Sequence, residues 1–166
     1  MKSIFRYPGC KAKATKRIVT YFPKEFSEYR EAMIGGGSVF FDTATKYPDI
    51  KYWINDIDTN LVSVYLALRD RPEEFIALCR EIKPAQTGED FVPAKKVNGR
   101  AIHNGRLKAK FDALAADNSS DPALRYFFIN RTVWAGRVNY NSASRLYFSK
   151  SVGWDIVTSS MLEEAG

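Results

Sequence analysis

The segment Arg30-Glu31-Ala32-Met33-Ile34 runs into three consecutive glycines, Gly35, Gly36 and Gly37, and nineteen residues past the last of them stands a carboxylate, Asp56, after a second apolar run. A backbone without Cβ atoms turns sharply out of a strand and lets a ligand approach closely. An acid about twenty residues beyond such a turn is where an α/β nucleotide fold places its acceptor for ribose hydroxyls. The pairing predicts an adenosine site. Phe40 occupies the place where close packing around a pyrophosphate needs a third glycine. The expected ligand is therefore an adenosine compound without phosphates, which S-adenosylmethionine fits better than NAD. A glycine run between a strand and a helix also serves as a plain tight connection, and the segment by itself admits both readings.

Other reactive side chains are isolated. Cys10 and Cys79 have no metal-ligand spacing, so no structural metal is expected. Cys79 falls on an apolar helical stripe and reads as core. His103 has no second His, Cys or clustered acid beside it. Asp121-Pro122-Ala123-Leu124 opens an apolar helical pattern and reads as a helix start with Pro122 in the first turn.

The glycine turn and Asp56 each need an element to carry them. Residues 28–34 and 52–54 read as short buried strands, each followed by a helix, in the manner of βαβ units. A helix is expected over 13–22, with Ala14, Ile18 and Phe22 on one face and Pro23 ending it. Asp58 reads as the N-cap of a helix carrying Leu61, Val64, Tyr65 and Leu68. The next helix, from Pro72, repeats that spacing with Phe75, Leu78, Cys79 and Ile82. Residues 83–105 hold Pro84, Gly88, Pro93, Gly99 and Gly105 and read as a long irregular connection. Leu107, Phe111 and Leu114 mark one further short helix, and Leu124, Phe127 and Phe128 another. No internal repeat is visible. The length suits one domain with an inserted subdomain.

The net charge of +6 is unevenly distributed. Lys95, Lys96, Arg100, Arg106, Lys108 and Lys110 form a stretch free of acids, and Arg125, Arg131, Arg137, Arg145 and Lys150 share their segment only with Asp121. Either stretch alone is compatible with a solvated basic face. Joined to an adenosine site, the basic half points to nucleic acid, whose phosphates attract such a surface whatever the base sequence. No run of eighteen apolar residues and no N-terminal signal pattern occurs, so the expected compartment is the cytoplasm.

Phe5-Arg6-Tyr7-Pro8-Gly9-Cys10-Lys11 closely resembles the N-terminal motif of Dam-type (D12 class) adenine-specific DNA methyltransferases. Glu31 to Gly37 resembles their acidic-Pro-Phe-x-Gly-x-Gly turn, Asp56 the acid that follows it, and Asn130-Arg131-Thr132-Val133-Trp134-Ala135-Gly136 their Asn-Arg-x-x-aromatic-x-Gly block. The four motifs keep the family's order and cover most of the chain. The resemblance implies a Rossmann-like S-adenosylmethionine-dependent α/β fold with a helical DNA-recognition insert. Its expected layout is a cofactor-binding part over 1–70, a mainly helical target-recognition insert over 71–154 and the start of a return to the α/β part over 155–166.

The implied activity is methyl transfer from S-adenosylmethionine to the exocyclic amine of adenine in double-stranded DNA, the chemistry of DNA methylation in restriction-modification. By position in the motifs, the cofactor would be held by Tyr7, Lys11, Glu31, Gly35, Gly37, Asp56 and Ile57. Tyr7 and Lys11 would lie against its methionine end, and Lys11 is also readable as an exposed helix-start lysine. Gly35 and Gly37 would form the turn beneath the cofactor, Asp56 would accept the ribose hydroxyls, and Ile57 would pack on the adenine. Arg131, Trp134, Arg137, Asn139 and Arg145 are the implied DNA contacts, since arginine bridges guanine or phosphate, asparagine reads adenine and an aromatic wedges into a gap left by a base. Core packing is the alternative for Trp134, and local carbonyl binding for Arg131.

Three departures qualify the match: Ala32-Met33 stand where the family has Pro-Phe, Cys10 where a second glycine is common, and the loop from Arg137 lacks the glycine usual after the recognition asparagine. The family's Asp/Asn-Pro-Pro-Tyr tetrapeptide occurs nowhere in residues 1–166. The expectation is thus a methyltransferase truncated before its catalytic motif, with no catalytic residue assigned and little activity alone. The alternatives are a non-catalytic DNA- and cofactor-binding remnant and one subunit of a split enzyme. An incomplete sheet would leave an open strand edge, so pairing with a second copy or with a separate C-terminal fragment is expected. A nicotinamide-dependent enzyme is the weaker third reading.

Overall fold

The computed structural model describes residues 3–82, 95–97, 100–102, 113–114, 116–117, 119–133, 136–140 and 146–147. Its elements are α1 (Thr15–Val19), β1 (Glu28–Glu31), α2 (Ser38–Lys46), β2 (Lys51–Ile54), α3 (Thr59–Asp70), α4 (Pro72–Ile82), β3 (Lys95–Val97), β4 (Arg100–Ile102), α5 (Pro122–Thr132), β5 (Asn139–Tyr140) and β6 (Leu146–Tyr147). Strands β1 and β2 pair in parallel, with Tyr29 opposite Tyr52 and Glu31 opposite Ile54, so β1-α2-β2 is a βαβ unit. The pairs β3-β4 and β5-β6 are antiparallel.

Asp58 caps α3, its carboxylate accepting the Asn60 and Leu61 N–H groups at 3.1 and 3.3 Å. Asp121 does the same for α5 through Ala123 and Leu124 at 2.8 and 3.0 Å, with Pro122 in the first turn where no N–H is missed. Arg71 ties this cap to the α3-α4 junction by an ion pair to Asp121. The stripe Leu61, Val64, Tyr65 and Leu68 is buried as the spacing predicts. In α4, Phe75, Cys79 and Ile82 are buried with Ile76, while Leu78 is only half-buried. The Cys79 thiol is pushed up to about 12 by burial, which suits a core thiol and not a nucleophile.

One core joins the N-terminal motif to α3, α4 and α5. Phe5 packs its ring 5.3 Å from Tyr65 and 6.4 Å from Tyr126 and Phe127, and α3 lies along α5. Ile4, Phe41, Leu61, Phe75 and Tyr126 belong to the same cluster, which therefore runs across residue 70 without a break.

Four expectations are corrected. Helix α1 covers only 15–19 because the chain from Lys11 enters through turns, and Ala14 is exposed. Strand β1 ends at Glu31, since Ala32 and Met33 swing outward before the Ile34 N–H bonds the Asn55 carbonyl at 2.9 Å. The strands are not buried on both faces: Tyr29, Glu31, Tyr52 and Ile54 are half-covered, and Glu28, Arg30, Lys51 and Trp53 are exposed. Aromatic side chains cover the inner face, with Phe26 and Tyr47 ring centroids 4.8 Å apart and those of Phe40 and Tyr52 5.6 Å apart. Within 83–105, the stretch expected to be irregular holds the β3-β4 pair, separated by Asn98-Gly99, the residue pair that most favours a two-residue hairpin loop. The helix expected around Leu107 and Phe111 lies outside the described residues. Among the described residues no helix is long and apolar enough to cross a membrane.

Candidate cofactor cleft

Gly35 and Gly37 both adopt left-handed backbone, with φ of +47° and +66°, conformations that disfavour any side chain. The turn they form carries the chain from the end of β1 into α2, closing with Gly37 N–H to the Ile34 carbonyl at 2.8 Å. Space imposes the same choice: a Cβ on Gly35 would lie 2.9 Å from the Tyr7 ring, and one on Gly37 would lie 2.6 Å from the Tyr65 hydroxyl.

Three side chains pin this turn. Asp56 reaches across from the end of β2, one carboxylate oxygen accepting the Gly35 N–H at 2.8 Å and the other the Asp58 N–H at 3.1 Å. Tyr65, buried in α3, donates its hydroxyl to the Gly35 carbonyl at 2.8 Å, and Ser3 donates to the Gly36 carbonyl. A carboxylate has about four acceptor positions, so Asp56 retains capacity for further donors on its outer side.

Around the turn lies a cleft of about 240 Å³ whose lining includes Tyr7, Lys11, Glu31, Met33, Gly35 and Ser38. Glu31 is half-buried; its carboxyl is raised above the usual range by desolvation, an effect opposed by the Tyr29 hydroxyl donating to it at 2.8 Å. Burial raises the Tyr7 phenol, and the nearby Asp56 and Asp58 charges raise it further. Lys11 is exposed at the cleft rim, its carbonyl accepting the Ala14 and Thr15 N–H groups at 2.8 and 2.9 Å. Met33 and Ile57, from the ends of adjacent strands, are 84% and 95% exposed, an unusual state for two large apolar side chains beside a polar turn. Together the groups offer a carboxylate for a cation, an acceptor for hydroxyls and apolar surface for a flat ring. Among the described residues no three His, Cys, Asp or Glu side chains gather as a metal site.

The structure thus brings Tyr7, Lys11, Glu31 and Gly35 into one cleft, puts Gly37 at the N-cap of α2 and ties Asp56 to the cleft through the Gly35 N–H, while Ile57, next in sequence, is exposed and not part of its lining. The implied DNA contacts are not gathered in this way. Arg131 is 5% exposed and donates to the Ile4 carbonyl at 3.4 Å, the local carbonyl binding that is the alternative reading for it. Arg137 is exposed, and Asn139 begins β5 opposite Tyr147. Trp134 and Arg145 lie outside the described residues.

Tyr65 and Asn130 stand in the sequence as a core-stripe residue and a motif residue, with no site role assigned to either. Asn130 is fully buried and donates to the carbonyls of Arg6 and Gly136, at 3.0 and 3.2 Å. Gly136, at φ +68°, lies so close to Arg6 that a Cβ would sit 1.7 Å from its carbonyl oxygen. The Asn-Arg block therefore clamps the backbone next to Tyr7. The sequence showed both motifs but gave no sign that they touch.

The family described as D12 class N6 adenine-specific DNA methyltransferase matches this chain over residues 7–151. The type II methyltransferase M1.LlaDCHI of Lactococcus lactis subsp. cremoris is 30% identical over 78 residues, 47% of this chain and 26% of that protein. The type II methyltransferase M.MjaIII of Methanocaldococcus jannaschii is 24% identical over 149 residues, 85% of this chain and 49% of that protein. The chain spans about half or less of the length of these relatives.

Proposed function

The chain belongs to the D12 class N6 adenine-specific DNA methyltransferase family, and on that footing we propose that its glycine turn and cleft bind S-adenosylmethionine for methyl transfer to adenine in duplex DNA. The observation that carries this reading is the combination at the ends of β1 and β2: the Asp56 carboxylate on the Gly35 N–H, flanked by exposed Met33 and Ile57. When bound, S-adenosylmethionine supplies an electrophilic methyl group on a sulfonium.

The chain's own residues would do the rest. The free acceptor positions of Asp56 take the ribose hydroxyls, and its bonds to Gly35 and Asp58 fix the carboxylate before any ligand arrives. Met33 and Ile57 cover the adenine, which offsets the cost of leaving them in water. Glu31 faces the cofactor's ammonium, and Tyr7 and Lys11 enclose the methionine end. The Rossmann-like fold, of which β1-α2-β2 is one unit, remains part of the proposal.

Residues 1–166 contain no Asp/Asn-Pro-Pro-Tyr, the tetrapeptide that by family resemblance would accept hydrogen bonds from the target amine. Our reading is that another polypeptide segment provides it. The same observation favours the second reading, a binding-only remnant that holds cofactor and DNA without turnover. Labelled S-adenosylmethionine and duplex DNA separate the two. Incorporation only after adding a fragment that carries the tetrapeptide supports a methyltransferase; no incorporation under any pairing supports the remnant; incorporation by residues 1–166 alone would overturn the assignment of the reaction centre.

A further inference from the structure

The first 24 residues contain seven of the chain's 25 Lys and Arg, at 2, 6, 11, 13, 16, 17 and 24, and none of its 19 Asp and Glu. This one segment exceeds the net charge of the whole chain, +6, so the remainder is close to neutral. Four basic side chains elsewhere on the described surface hold carboxylates: Arg30 with Glu28, Lys46 with Asp42, Arg69 with Asp70 and Arg71 with Glu74. Lys13, Lys16 and Arg17 are exposed and form no ion pair among the described residues.

Lys13 stands in the turn that leads into α1, two residues before its first residue, and Lys16 and Arg17 lie within the helix, while Thr15, Ile18 and Val19 turn inward as α1 packs on α2. Tyr21, four residues past Arg17, is 76% exposed and borders a groove with Ala14, Arg17, Ile18 and Phe22. The strip is continuous in the chain with Lys11 and Tyr7 of the cleft.

We propose that Lys13, Lys16 and Arg17 form a phosphate-binding strip that holds the DNA backbone next to the cleft, an inference that rests on the methyltransferase reading. A target adenine must leave the stack to reach a cofactor at the Gly35 turn, and the backbone that carries it then passes the cleft rim. An exposed, unpaired basic face placed there attracts that backbone without reading its bases. Sequence-independent grip from α1 and the turn before it leaves base recognition to other parts of the protein.

The test is fluorescence anisotropy of a short labelled duplex titrated with the 166-residue chain over a range of KCl concentrations, alongside titration with S-adenosylhomocysteine. In Lys13→Gln/Lys16→Gln/Arg17→Gln the slope of log affinity against log salt should become shallower by about 2.7, three contacts at about 0.9 each. Binding should weaken equally for unrelated duplex sequences, with S-adenosylhomocysteine affinity and melting temperature unchanged. The charge-keeping variant Lys13→Arg/Lys16→Arg/Arg17→Lys should retain the original slope. An unchanged slope in the glutamine variant, with cofactor binding intact, would overturn the strip and leave the methyltransferase reading standing. Loss of both cofactor and DNA binding by the unmodified chain would overturn both. Binding to phosphatidylserine vesicles without binding to the duplex would assign the face to lipid and overturn the proposal.

Discussion

Replacing Asp56 with alanine removes two things at once, and their sizes follow from the geometry. The carboxylate accepts the N–H groups of Gly35 at 2.8 Å and Asp58 at 3.1 Å. Hydrogen bonds to a charged group contribute about 1.5–3 kcal/mol each when buried, and Asp56 is only half-buried, so the pair is discounted to about 2–4 kcal/mol. For a chain of 166 residues that corresponds to a fall of about 5–15 °C in melting temperature. Two ribose hydroxyls losing a charged acceptor would cost about 3 kcal/mol of binding, or somewhat more than 100-fold in S-adenosylhomocysteine affinity. Asp56→Asn keeps one acceptor oxygen and should fall between. Calorimetric titration and a thermal melt on the same samples separate the two effects. A lowered melting temperature with unchanged affinity would make Asp56 a structural pin alone and refute its role at the ribose.

Burial raises the Glu31 carboxyl above its ordinary 4.5, so its contribution to stability is full below about 4.5 and is lost as pH rises through the folded value. Glu31→Gln should therefore stabilise the fold at neutral pH and not at pH near 4, while weakening cofactor binding at neutral pH; a melting temperature equally shifted at both would contradict this. Cofactor affinity of the unmodified chain should fall as acidification protonates Glu31, and the glutamine variant should be flat over that range. Gly136→Ala drives a Cβ into the Arg6 carbonyl at φ +68° and should cost about 2 kcal/mol or more in stability, read by denaturant unfolding. Arg131→Met should lower the melting temperature without altering the salt slope of DNA binding, because the guanidinium serves the Ile4 carbonyl; a shallower slope would return Arg131 to the DNA surface.

What the sequence made legible were local devices. Asp58 and Asp121 stand one residue ahead of apolar helical stripes, and capping needs only that adjacency. The glycine turn and its partner acid were readable because each residue type answers a local demand: left-handed backbone at Gly35 and Gly37, and an acceptor at the end of the next strand. Contacts between distant positions were not readable. Tyr65 sits on a core stripe and its hydroxyl partner is 30 residues back, so nothing in the stripe distinguishes it from a plain core aromatic. Arg131 carries the same charge in the interior as on a surface, and only the packing of α5 against the N-terminal segment shows which it is. The β3-β4 pair was hidden by its short strands among glycines and prolines, where composition outweighs the two-residue Asn98-Gly99 signal. The exposed outer face of β1 and β2 contradicts the pattern expected of parallel strands covered on both sides.

The most direct test of the account is a crystal structure of the chain soaked with S-adenosylhomocysteine. The ligand's adenine should lie against Met33 and Ile57, its ribose hydroxyls on Asp56 and its amino group toward Glu31. A ligand seated elsewhere, or a Gly35 turn closed over by side chains with Met33 and Ile57 still bare, would contradict it.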